Sequence, residues 1–322
     1  MIAAYVSKPA PDDPLSALEV GERPAPEPRA GWTTVTVKAA SLNHHDVFSL
    51  RGIGLPEDRM PMILGCDASG TDESGNDVVV HAVISDPSWT GDETLDPKRS
   101  LLSERYQGTL AEKVIVPNRN VIPKPDELSF QEAACLSTAW LTAYRMLFTK
   151  SGVRPGDTVL VQGASGGVAT ALIALASAAG MRVWATSRTE DKRALATELG
   201  AHASFESGAR LPERVDAVFE TVGEATWGHS LKSLKPGGRV VVSGATSGAA
   251  PPADLQRVFF LQLSVIGSTM GTRDELAKLI QFCQTSGLRP RIDVQMPLTD
   301  AHDGFARMIA GETAGKIVFT LD

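Results

Sequence analysis

Val159-Leu160-Val161-Gln162-Gly163-Ala164-Ser165-Gly166-Gly167-Val168-Ala169, followed by the apolar run Thr170 to Ala179, decides the fold. A β-branched apolar strand runs into a glycine turn that opens directly onto a helix, so unpaired backbone N–H groups at the helix start can face a pyrophosphate. Gly166 lets the backbone come close to that phosphate. Against the pattern G-x-G-x-x-G the register is Ala164-x-Gly166-x-x-Ala169, with alanine in the first and third places. A tight strand-to-helix turn in another kind of α/β protein reads the same way, and the flanking sequence separates the two.

A second strand pattern, Arg182 to Thr186, follows at the distance of a βαβ unit, and further runs follow at 203–205, 215–219, 239–243 and 263–266. Helical patterns at 190–199, 226–234 and 252–261 separate most of them. Alternating strands and helices imply a doubly wound parallel sheet. In such sheets ligands sit at the carboxyl ends of the strands, which nominates Thr221 and Gly223, Gly244 and Ala245, and Thr269 and Met270 as ribose and nicotinamide contacts. Loop chemistry unconnected with a ligand is the alternative for each.

The end of the second strand selects the cofactor. An acidic side chain there would bond the ribose 2′-hydroxyl of NAD, whereas this chain reads Thr186-Ser187-Arg188 with Lys192 one helical turn on. A hydroxyl and two cations suit a 2′-phosphate, so NADPH is expected over NADH. Glu190 and Asp191 beside them leave a solvated helix start as the other reading.

Ahead of Pro123-Lys124-Pro125 the chain is mostly β: 35–39, 78–83 and 111–116 read as strands, and the polar stretch from Asp86 to Arg105 reads as a surface excursion. Ser129 and Glu132 form a capping box that starts a helix expected to run to Leu147. Helices at 273–285 and 301–310 and a strand at 316–320 close the chain.

The 322 residues, 43% hydrophobic, suffice for two cores. A net charge of −7 argues against nucleic acid or an anionic membrane as the main partner. No run is apolar enough to span a bilayer and the first residues lack a signal-peptide pattern, so a cytoplasmic location is expected. Three widely spaced cysteines, Cys66, Cys135 and Cys283, fit a reducing compartment.

Across nearly its whole length the chain resembles the medium-chain dehydrogenase/reductase superfamily, in its zinc-independent quinone oxidoreductase branch. The resemblance is carried by Ser41-Leu42-Asn43-His44-His45-Asp46, Leu64 to Gly70, Gln107 to Glu112, Leu141-Thr142-Ala143-Tyr144, Gly163 to Ala169 and Gly315-Lys316-Ile317-Val318. It implies a Rossmann domain, residues 125–268, inserted into a GroES-like, mainly β catalytic domain of residues 1–124 and 269–322. It also implies an active site in the cleft between them, and a homodimer joined through the last Rossmann strand.

In the zinc-dependent members a cysteine, a histidine followed by a glutamate, and a second cysteine serve the metal. Their places hold Asn43, Cys66 with Asp67, and Thr138, and no cysteine-rich lobe is present, so no metal is expected. His44 or His45 with Cys66 and Asp46 is the alternative ligand set, although spacing alone does not converge ligands. Without a Lewis acid, an electron-poor quinone or α,β-unsaturated carbonyl suits hydride transfer better than an alcohol.

The resemblance further implies Asn43 as a hydrogen-bond donor near the acceptor oxygen, with Thr138 beside it. Ala164, Ser165, Gly166, Gly167 and Val168 cradle the pyrophosphate, and Ser187, Arg188 and Lys192 hold the 2′-phosphate. Phe48 and Phe260 are expected in the acceptor pocket, and Lys316 either reaches the cofactor or is solvated. The proton donor is unassigned. A zinc-dependent alcohol or aldehyde dehydrogenase and a nucleotide-binding protein without turnover are the competing readings.

Overall fold

The computed structural model describes residues 1–321, which divide into two compact units. The first comprises Met1–Leu141 and the chain from Met270 onward; the second is Thr142–Thr269.

The second unit is built on a six-stranded, wholly parallel sheet. Its order is Ala203–Glu206, Arg182–Ser187, Thr158–Gln162, Val215–Glu220, Leu234–Val242 and Ser264–Gly267. Chain order therefore reverses at Thr158–Gln162, the place where a doubly wound sheet leaves a crevice for a ligand. All five residues of that strand are buried, as a central parallel strand covered on both faces requires. The helix after it, Gly167–Ala178, buries every residue from Ala169 to Ala176.

The first unit is mainly β. Its larger sheet runs Val121–Pro123, Asp77–Val80, Asp67–Asp72, Trp32–Ser41, Lys316–Thr320 and Ile292–Pro297, with Lys113–Pro117 also paired to Trp32–Ser41. The long strand Trp32–Ser41 is its hub, because Ser41 lies in register with Asp67 on one side and Val318 on the other. A core of buried aliphatic residues, with Phe305 and Phe319, fills the space beneath.

Four sequence expectations change. The boundary between units falls after Leu141, not after Lys124, because residues 130–140 pack on strands and on the helix Arg273–Ser286 of the first unit. The capping box at Ser129 and Glu132 is present, yet the helix beyond it is short, Phe130–Ala133, and continues as wide π turns at Leu136–Trp140 and Arg145–Lys150. Apolar spacing does not distinguish those turns from an α-helix. The expected helix at 252–261 is confined to Leu255–Phe260, since Asp254 adopts a left-handed conformation and accepts a hydrogen bond from Arg257 N.

The strand expected at 78–83 also breaks, because the Asn120 side chain donates to the carbonyls of His81 and Val83 and removes them from the ladder. The polar excursion is exposed in its middle, but its end returns to the interior: Ser103 is fully buried, with φ of +64°. Among the described residues no helix is long and apolar enough to cross a membrane.

Candidate functional site

In the second unit, Gly163 turns the chain at a φ of +85° and Gly166 caps the helix Gly167–Ala178. The first helical bond runs from Thr170 N to Gly166 O at 2.9 Å, so the amides of Gly167, Val168 and Ala169 have no partner within the helix. A β-carbon at Gly166 would meet no protein atom within 4 Å. The absence of a side chain there is not needed for packing; it keeps an open approach to three amides and a helix dipole, which fits an anionic pyrophosphate. Ala164 is buried and Ser165 half-buried at the rim.

At the end of the next strand Ser187 is buried, Arg188 exposed and Lys192 half-buried. Arg193, which the sequence reading overlooked, folds back so that its guanidinium donates to Ser187 O at 3.1 Å. Glu206, in register with Ser187, brings one carboxylate to this edge. Three guanidinium or ammonium groups thus follow a strand end without an acidic residue of its own, a donor set that fits a phosphate better than a bare diol.

Glu220 shapes the third segment, and it too escaped the sequence reading. Its fully buried carboxylate accepts from Val222 N (2.8 Å), Gly223 N (3.0 Å), Thr226 Oγ1 (2.8 Å) and Ser230 Oγ (2.6 Å). Gly223 adopts φ +91°, and a β-carbon on it would lie 2.5 Å from Gly248 O; one on Gly244 would lie 2.9 Å from Thr221 O. The structure therefore brings Thr221, Gly223, Gly244 and Ala245 together at the carboxyl edge of the sheet. Thr269 is exposed at the end of the unit.

Two expected contacts move elsewhere. Met270 is a core residue of the first unit, packed with Cys66, Ala82 and Val83. Phe260 lines no pocket: it is 77% exposed on a helix with the equally open Leu255 and Phe259. Phe48 is half-buried on the helix His44–Leu50, its ring 6.4 Å from that of His44.

In the first unit, the register of the hub strand gathers Ser41, Asn43, Asp67 and Lys316. Lys316 Nζ donates to Asn43 Oδ1 at 2.6 Å and Leu42 O at 2.8 Å, and lies 3.4 Å from Asp67 Oδ2. Asn43 Nδ2 donates to Asp67 Oδ2 (2.9 Å) and Ser41 O (3.3 Å), and Ser41 Oγ donates to the same carboxylate oxygen at 2.7 Å. Both amide hydrogens of Asn43 are thus committed internally, so it does not serve as the free donor expected of it. Lys316 is buried, not solvated. The hydroxyl of Thr138, by contrast, is a buried group with no partner among the described residues.

A second cluster is centred on His45, two residues after Asn43. His45 Nε2 faces Glu104 Oε1 at 3.2 Å, and Nδ1 faces Cys66 Sγ at 3.5 Å and Ser103 Oγ at 3.4 Å. The Cys66 sulfur against Nδ1 and the carboxylates of Glu104 and Asp46 hold the imidazole well above the ordinary histidine range, against the burial that pushes it down. Burial pushes the Cys66 thiol up, with His45 pulling the other way.

Neither candidate donor set suits zinc. At the places the zinc-dependent members use, Asn43 and Asp67 are bonded to a buried ammonium, and a divalent ion beside that charge would be repelled. The atoms of His45, Asp46 and Cys66 lie within 4.8 Å of one another, but the Asp46 oxygens are occupied by Gly65 N (2.8 Å) and Asn43 N (2.9 Å), closing the helix cap. Two free ligand atoms fall short of a zinc site, and the residues do not fit the metal.

Comparison with known proteins gives two family matches: residues 29–126 match the alcohol dehydrogenase GroES-like domain, and residues 167–285 match the zinc-binding dehydrogenase family. A quinone oxidoreductase of Mus musculus is 28% identical, with 92% of this chain and 91% of that one covered. An acryloyl-coenzyme A reductase of Sulfurisphaera tokodaii is 26% identical, with 95% and 97% covered. Among solved structures, one described as an NAD-dependent alcohol dehydrogenase superposes with a TM-score of 0.92 at 33% identity, over 100% of both chains.

Proposed function

The chain belongs to the medium-chain dehydrogenase/reductase superfamily, and from that premise we propose that it is an NADPH-dependent reductase of a quinone or an α,β-unsaturated carbonyl, working without zinc. The observation that carries this reading is the pairing of an open nucleotide cradle with a buried ammonium where the zinc-dependent members hold metal. The amides of Gly167, Val168 and Ala169, with Ser165, hold the pyrophosphate, and Ser187, Arg188 and Lys192 hold the 2′-phosphate. Thr221, Gly223, Gly244, Ala245 and Thr269 line the ribose and nicotinamide. Bound there, NADPH supplies a hydride.

Thr138 gives its unpartnered hydroxyl hydrogen to the acceptor oxygen, and Phe48 forms an apolar wall beside it. An acceptor that is already electron-poor needs orientation more than a strong Lewis acid. The quinone oxidoreductase and acryloyl-coenzyme A reductase among the relatives favour this acceptor class. A second reading, an NAD-dependent alcohol dehydrogenase, is favoured by the solved structure described above.

The protein acts as a homodimer in this proposal. Ser264–Gly267 is the edge strand of its sheet; its Val265 and, on the helix that precedes it in the chain, Leu255, Phe259 and Phe260 are all at least half exposed, apolar surface suited to a second copy.

The test is NADPH and NADH consumption by metal-stripped protein against quinones, enones and aldehydes, repeated after zinc is restored. Turnover with quinones or enones in the absence of metal is expected. Activity that returns only with zinc would replace this reading with the alcohol dehydrogenase one, and binding without any turnover would make the chain a nucleotide-binding protein.

A further inference from the structure

The central strand of the parallel sheet, Thr158–Gln162, is apolar from Val159 to Val161 and then ends on an amide that is 1% exposed. A buried amide needs partners, and those of Gln162 join the ends of both neighbouring strands. We propose that Gln162 is a positioning residue for the nucleotide: without touching it, Gln162 ties the strand end that carries the 2′-phosphate contacts to the loop at 221–223, and so sets the preference for NADPH over NADH. The inference rests on the cofactor reading above.

Every member of the chain of bonds lies in the second unit. Thr186, in register with Gln162, donates from Oγ1 to Gln162 Oε1 at 2.6 Å. Gln162 Nε2 donates to His229 Nδ1 and to Ser230 Oγ, both at 2.9 Å. Ser230 Oγ donates to Glu220 Oε2 at 2.6 Å, and the other oxygen of that carboxylate holds the amides of Val222 and Gly223. Three adjacent strands are thus linked side chain to side chain at their carboxyl ends.

The direction of this chain is fixed at two places by groups that only accept. Ala209 O, 2.9 Å from His229 Nε2, requires the hydrogen on that nitrogen and leaves Nδ1 to accept from the amide. The Glu220 carboxylate requires the Ser230 hydrogen, which leaves the Ser230 oxygen to accept as well. The Gln162 nitrogen therefore faces His229 and Ser230, its oxygen faces Thr186, and both amide hydrogens are engaged within the protein. Buried networks satisfied in this way rigidify what they join.

Each of three members stands at the root of one segment of the nucleotide site. Gln162 precedes Gly163 and the pyrophosphate turn, Thr186 precedes Ser187 and Arg188, and Glu220 precedes Thr221. The backbone at Ser187 is held on one side by Arg193 Nη1 and Ser207 N, which donate to its carbonyl at 3.1 and 3.2 Å. Gln162 supplies the hold from the central strand, through Thr186. With that link cut, Ser187 and Arg188 lose their fixed place relative to the rest of the nucleotide, and charge-assisted bonds to a phosphate weaken with such a shift. NADH, which has no 2′-phosphate, loses less.

Fluorescence titration of NADPH and NADH against variants tests this. Gln162→Met keeps the length of the side chain and removes both ends of the amide; it is expected to weaken NADPH about tenfold and NADH about twofold, so that the preference falls about fivefold. Thr186→Val, which keeps the shape of threonine and leaves Gln162 in place, is expected to lower the preference in the same sense, and Thr186→Ser, which restores the hydroxyl, to keep it; this pair decides the matter should Gln162→Met fail to fold. A residue that only stabilised the fold would weaken both cofactors by one factor. Equal losses for the two cofactors in Gln162→Met and in Thr186→Val, or a preference unchanged in both, overturn the proposal. Wild-type protein that binds neither cofactor, or binds NADH as tightly as NADPH, overturns the cofactor reading itself, and the role of Gln162 falls with it.

Discussion

Lys316 and Asp67 meet 3.4 Å apart inside the first unit, with side chains 3% and 0% exposed. Lys316 opens the last strand and Asp67 opens one near the start, so the pair joins chain segments 249 positions apart. Asp67 Oδ1 already lacks a partner among the described residues. Lys316→Met would strand a buried carboxylate, with an expected loss of about 3–5 kcal/mol in urea unfolding. Adding Asp67→Asn to that variant is expected to recover part of the loss. An unchanged midpoint in Lys316→Met would show that the pair does not carry the charge balance described.

Two glycines of the nucleotide site should separate folding from binding. Gly166→Ala places a methyl group in open space at an ordinary φ of −73°, so the Tm should move little while NADPH affinity falls. Gly223→Ala forces a β-carbon to within 2.5 Å of Gly248 O at φ +91°, so stability and affinity should fall together. Thermal melts with and without NADPH distinguish the two.

Cofactor choice is expected to rest on Arg188 and Lys192. Replacing either with alanine should weaken NADPH about tenfold or more, the range for a hydrogen bond to a charged group, and leave NADH nearly unaffected. Equal losses for both cofactors, read by fluorescence titration, would move the 2′-phosphate elsewhere.

Two histidines should shape the pH dependence of stability in opposite senses. Burial lowers His81 from 6.5 to about 4, and its ring contacts Gly271 O at 3.0 Å. A depressed histidine favours the folded state above 6.5, and its contribution, on the order of 3 kcal/mol, is lost as pH falls from there to about 4. His45 is raised, so its contribution is full below 6.5 and is lost as pH rises through its folded value. Urea midpoints of His81→Asn against pH should therefore lack part of the acid-side decline, and those of His45→Gln part of the alkaline-side decline.

The apolar edge makes a prediction about assembly. Phe260→Asp with Phe259→Asp should yield a monomer in sedimentation without lowering the Tm of the isolated fold, since neither ring is buried. A wild-type monomer at micromolar concentration would remove the dimer from the proposal.

The parallel sheet is legible in the chain because most of its strands carry short β-branched runs and end in glycine or hydroxyl turns, and the helix Ala301–Ala310 has the bounds its periodicity gives. The cradle at Gly163 to Ala169 is equally local. Contacts between distant segments are not encoded this way. Glu104 reaches His45 across 59 positions, and Lys316 reaches Asn43 across 273. The commitment of Asn43 follows from strand register, which no run of residues displays. Glu220 had a local signal, a carboxylate placed just before two amides at a strand end, and Arg193 had none beyond its charge.

Every donor to the Glu220 carboxylate comes from within ten positions of it, from Val222 to Ser230. A ring closed over so short a stretch has a small closure entropy and needs no distant strand to complete it. The loop's ordering cost is therefore met when the chain folds and not when the nucleotide arrives, so cofactor capture at this segment should resemble a key entering a cut lock rather than a clasp being fastened.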